Sequence, residues 1–70
     1  MGKLTWDKLD DIAFALYETY PEIDPTNIRF TDLHKWIVGL EGFADDPLKS
    51  NEAKLEAIQM AWLEEWQENQ

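Results

Sequence analysis

The chain has no cysteine. That excludes disulfides, thiolate metal sites, a cysteine nucleophile and an iron–sulfur cluster held by the chain's own thiolates. Basic residues are scarce: six Lys plus Arg stand against fifteen Asp plus Glu, for a formal net charge of −9. Phosphate attraction needs a basic face, so this balance argues against nucleic-acid binding and against docking on anionic membranes. The three glycines, Gly2, Gly39 and Gly42, form no Gly-rich phosphate loop. No apolar run approaches the ~18 residues of a membrane span. The opening MGKLTWDKLDD lacks the apolar region of a secretory signal. The expected location is the cytoplasm.

What remains is a chain of 70 residues, 44% of them apolar. That is too apolar for disorder, and the length reads as a single domain over residues 1–70. A chain of this size buries only about 60% of the surface its unfolded form exposes. Four Trp help, because each removes a large area from water.

Three amphipathic segments carry the apolar residues. In the first, residues 6–20, Leu9, Ile12, Ala13, Leu16, Tyr17 and Tyr20 recur at helical spacing. Thr5 is its expected cap and Pro21 its stop. Asp24-Pro25 reads as a short turn, with Asp24 as cap, and Ile28-Arg29-Phe30 as a segment that could run extended into the next helix. In the second helix, residues 32–42, Leu33, Trp36, Ile37 and Leu40 form the stripe. Gly39 weakens this helix by up to ~1 kcal/mol relative to Ala, and Gly42 is the expected end. A loop with Asp45-Asp46-Pro47 follows. The third helix, residues 51–68, is expected to be capped by Ser50, with Leu55, Ile58, Trp62 and Trp66 as its stripe and Leu63 beside it. The expected fold is all-α in the main, a compact three-helix domain with a short turn between the first two helices.

Projected at 100° per residue, Asp7, Asp10, Asp11, Phe14 and Glu18 share the face of the first helix opposite its core stripe. This is either a solvated acidic face with one stray Phe or a docking face, with Phe14 as anchor and the carboxylates matching a basic partner. Glu41, Asp45 and Asp46 form a second acidic group. Oxygen donors of this kind suit a hard divalent ion, yet the spacing fails the calcium-loop pattern, and a solvated Asp-Pro turn explains the same residues. His34, the single histidine, either serves as a ligand or proton shuttle or flanks the core. No catalytic set is legible: Ser50 is the single serine, with no oxyanion hole or cleft in view. The expectation is a non-enzyme. The turn and helix over residues 21–40 resemble a helix-turn-helix in outline, but the second helix offers only Lys35 for phosphates.

The run YPEIDPTNIRFTDLHKWIVGLEGFADDP, Tyr20 to Pro47, closely resembles the IscX family, small acidic proteins of the bacterial iron–sulfur cluster (ISC) assembly system. The YP…DP turn, RFTDLHKWI, the DDP loop and the SNE opening of the third helix carry the likeness. LTWDKLDDIAFALY and LEAIQMAWLEEW extend it over nearly the whole chain. The resemblance implies a modified winged-helix-like fold and binding to the cysteine desulfurase that supplies sulfur. It implies weak Fe(II) binding through carboxylates with no tightly held cofactor, and a regulatory role overlapping that of a frataxin-like protein. On that basis the expected partner-binding residues are Asp7, Asp10 and Asp11, with Trp6, His34 and Lys35 beside them; Phe14 and Glu18 join them from the helix projection and not from the resemblance. The expected weak metal ligands are Asp7, Asp10, Asp11, Glu41, Asp45 and Asp46. The chain alone is expected to be a monomer. The alternative is an iron donor that hands Fe(II) to the assembly scaffold without acting on the desulfurase. Residues 66–70 run past the recognisable end.

Overall fold

A computed structural model describes residues 3–69 and contains three α-helices: α1 (Leu9–Thr19), α2 (Phe30–Val38) and α3 (Glu52–Glu68). Two 3-10 turns, Pro25–Asn27 and Pro47–Lys49, join them. The mainly helical expectation holds. Among the described residues β-pairing is confined to one isolated parallel bridge, Leu4 to Phe43, and that bridge is all the structure offers toward a winged-helix likeness.

The helix ends differ from the expected ones for local reasons. Helix α1 starts at Leu9, three residues late, because Leu4–Trp6 is drawn away to pair with the 42–46 loop. Lys8 takes the N-cap position without a side-chain hydrogen bond, so Thr5 does not cap it. Pro21 stops α1 as expected, the last turn closing through Tyr20 N–H to Leu16 C=O at 2.8 Å. Helix α2 starts two residues early, at Phe30, after extended Ile28 and Arg29. It also ends early, at Val38, because Gly39 disfavours continuation. The chain then tightens into i→i+3 bonds, Leu40 to Ile37 and Phe43 to Leu40, each 3.1 Å. Gly42 turns it with φ 89° and returns Phe43 toward Leu4. Only glycine takes that φ without steric cost. Helix α3 is capped by Asn51, whose carbonyl oxygen accepts from Lys54 N–H at 2.8 Å, and not by Ser50.

The two Asp-Pro pairs behave alike. Asp24 accepts from Thr26 N–H at 2.9 Å, and Asp46 from Leu48 N–H at 2.9 Å. In each, the proline begins a 3-10 turn, where its fixed φ suits the first position and its missing N–H costs nothing.

The core comprises Trp6, Ile12, Ala13, Leu16, Leu33, Ile37, Leu40, Leu55, Ile58 and Trp62, all buried. Helix α1 packs chiefly on α3. Each fully buried large side chain contributes about 1.5–3 kcal/mol before chain entropy is subtracted. Tyr20, Trp36 and Trp62 form an aromatic row, with centroids 5.5 and 6.0 Å apart. The buried Trp62 Nε1 finds no acceptor among the described residues. Gln59 ties α3 to the first 3-10 turn through Pro25 C=O at 2.7 Å.

Candidate docking face

Asp10 and Asp11 lie in the first turn of α1, and Phe14 and Glu18 follow on the same outward face. All four are exposed, Phe14 at 49%. The helix N-terminus, with its partial positive charge, favours carboxylates in this first turn. No basic residue stands in the last turn of α1. Asp7 sits in the turn before α1, and its carboxylate meets Lys54 Nζ at 3.4 Å. Because Asp7 is 88% exposed, this pair contributes at most about 1 kcal/mol. It does, however, place the front of α1 beside the front of α3.

Trp6 does not stand on that face. It is 2% exposed and belongs to the core. Its indole Nε1–H donates to Asp46 C=O at 2.7 Å, and its backbone N–H donates to Asp45 Oδ2 at 3.1 Å. Phe43 packs edge-on against it at 5.1 Å, and His34 stacks on it at 5.8 Å. No sequence pattern announced this: Trp6 falls outside the α1 stripe and finds its partners 39 and 40 residues away.

His34 also has a structural task. Its Nε2 lies 2.7 Å from Pro47 C=O, and a carbonyl only accepts, so the ring nitrogen donates. Lys35 is exposed beside it.

The loop carboxylates are occupied in the same way. Asp45 accepts Trp6 N–H through Oδ2 and Asp46 N–H, at 2.7 Å, through Oδ1. These two bonds, the Trp6 one first, hold its carboxyl below the usual carboxylate range. Asp24 is lowered likewise, chiefly by the Thr26 hydroxyl at 2.7 Å. Glu41 is exposed. Among the described residues no three His, Asp or Glu side chains come together to hold a metal ion, so Asp7, Asp10, Asp11, Glu41, Asp45 and Asp46 do not form one cluster. No described helix is long and apolar enough to cross a membrane.

The site thus reduces to an acidic stripe with one exposed aromatic ring, beside a clasp in which buried Trp6 and half-buried His34 hold the Asp45–Pro47 loop. A family model described as iron-sulphur cluster assembly matches residues 4–67, which takes in the stripe, the clasp and all but the last residue of α3. The chain is also similar to the uncharacterized protein PA3808 of Pseudomonas aeruginosa, at 50% identity over 62 residues, covering 89% of this chain and 94% of that protein.

Proposed function

Because the chain belongs to the iron-sulphur cluster assembly family, we propose that it is a non-catalytic accessory of cluster assembly that docks on a cysteine desulfurase and modulates sulfur delivery. The observation that carries this reading is the exposed row Asp10, Asp11, Phe14 and Glu18 on α1 in a chain of net charge −9. Such a face complements a basic patch. Long-range attraction speeds encounter, and the exposed ring adds a short-range anchor. Competition with a frataxin-like protein belongs to the same proposal.

Weak Fe(II) binding belongs to the same proposal, through exposed Asp7, Asp10, Asp11 and Glu41. Carboxylate oxygen suits a hard ion. The described residues form no ready-built site, and the docking step does not run through iron.

The test is a titration into a bacterial cysteine desulfurase at low and high salt, following binding and sulfide release together. Docking on the acidic face gives binding that fades as salt rises and a changed rate of sulfide release. Reversing both Asp10 and Asp11 to Lys cuts the association rate strongly. An absence of binding at low salt sinks the desulfurase reading. Delivery of Fe(II) to a scaffold with unchanged sulfide release replaces it with the iron-donor reading.

A further inference from the structure

A second surface lies between α2 and α3. Phe30, Thr31, His34 and Lys35 from α2 and Leu55 from α3 line a shallow hollow of about 390 Å³ with an almost wholly apolar lining. Leu48, 88% exposed, follows the Pro47 whose carbonyl His34 holds. The hollow contains none of Asp7, Asp10, Asp11, Phe14 and Glu18, which make up the α1 stripe.

Its charge is opposite to that of the molecule. Of the fifteen carboxylates none lines it, and its one permanently charged residue is Lys35. Asp32 and Glu52, near it in sequence, stay outside the lining. Phe30 and Thr31 also begin α2, whose N-cap Arg29 accepts Leu33 N–H through its carbonyl at 2.9 Å but makes no side-chain cap, and whose first turn carries Asp32. Arg29, exposed, adds a second cation next to Phe30.

We propose that this hollow is a docking site for a peptide segment of a partner protein that carries an apolar side chain beside a carboxylate. The apolar side chain rests on Phe30 and Leu55, and the carboxylate meets Lys35, with Arg29 the next nearest cation in sequence. The chain would then present two faces of opposite preference: α1 for a basic partner, and the α2–α3 hollow for an acidic one.

The experiment is an amide NMR titration of the full chain with a short capped peptide, Gly-Glu-Leu-Glu-Glu-Leu-Gly, alongside its Gln counterpart. The expected result is movement of the Thr31, His34, Lys35 and Leu55 amides with the Glu peptide, and much weaker movement with the Gln peptide. Lys35→Glu, at an exposed position, weakens binding roughly three- to tenfold, as loss and reversal of an exposed charge contact does. Reversing Asp10 and Asp11 to Lys leaves the same amides responding. The proposal is overturned by no movement at millimolar peptide, by equal response to the Gln peptide, or by movement confined to α1. Shifts of the same amides on concentrating the protein without peptide also overturn it, and assign the hollow to a second copy of the chain.

Discussion

The Trp6 indole and the His34 imidazole lie nearly parallel, 20° apart in plane and 5.8 Å between centroids. The two rings join the segment before α1 to the middle of α2, and each reaches the same short loop: Trp6 at the Asp46 carbonyl, His34 at the Pro47 carbonyl. Removing one ring therefore loosens three parts of the chain at once. His34→Ala is expected to lower stability by about 1–2 kcal/mol, from a lost hydrogen bond and lost ring contact. His34→Gln, which keeps a donor within reach of the Pro47 carbonyl, recovers part of it. Urea midpoints of the two variants check this. Equal losses would show that the ring contact, and not the donor, matters.

Acid should weaken the fold through Asp45 and Asp24. Both carboxyls are held below their ordinary value of 3.8. A carboxylate lowered by folding contributes its full stability above the unfolded value and loses it as pH falls through the folded one. Stability is therefore flat near neutrality and declines below about pH 4. Asp45→Asn lowers the plateau, because one of two backbone N–H groups loses its acceptor, and it makes the acid decline shallower. Urea midpoints between pH 2.5 and 7 measure both effects, and an unchanged acid slope in Asp45→Asn would remove Asp45 from the account.

Gly42 has φ 89° where Leu4 and Phe43 are brought into register. Gly42→Ala forces a β-carbon into the left-handed region and is expected to cost about 1–2 kcal/mol. Thermal unfolding reads this as a lower midpoint with an unchanged helical circular dichroism spectrum, since no helix contains residue 42.

Phe14 separates docking from folding. At 49% exposure it supports the core little, so Phe14→Ala should move stability by less than about 1 kcal/mol. If it anchors a partner, the same substitution weakens desulfurase binding by about 1–2 kcal/mol, chiefly through faster dissociation. Surface plasmon resonance gives both rates. An unchanged dissociation rate would leave the acidic residues as the whole of the contact.

The helices were legible because apolar residues repeat at their period. Ile12, Ala13 and Leu16 on α1, Leu33 and Ile37 on α2, and Leu55, Ile58 and Trp62 on α3 are all buried as their spacing implies. The outward set Asp10, Asp11, Phe14 and Glu18 follows from the same projection. The ends were less legible, since capping depends on neighbouring geometry: Ser50 and Asn51 are both good caps by type, and only Asn51 reaches Lys54 N–H. Least legible were contacts between distant segments. Trp6 read as a partner-binding residue, and Asp45 and Asp46 read as loop acids, because nothing local shows that these residues meet. Their Asp-Pro turn character was legible, and the matching turn at Asp24-Pro25 shows why: both depend on a residue two positions away.

The pairing of Leu4–Trp6 with the 42–46 loop also bears on the order of folding. It closes a ring of about forty residues, whose entropy cost is on the order of 3 kcal/mol, whereas each helix closes only local turns. The clasp is therefore expected to form later than the helices themselves. Interactions made late set the unfolding rate more than the folding rate. The acidic helix is thus held from two sides: its own inner face rests on α3, and Trp6 acts as a bolt that ties the segment before it to α2 and the loop that follows.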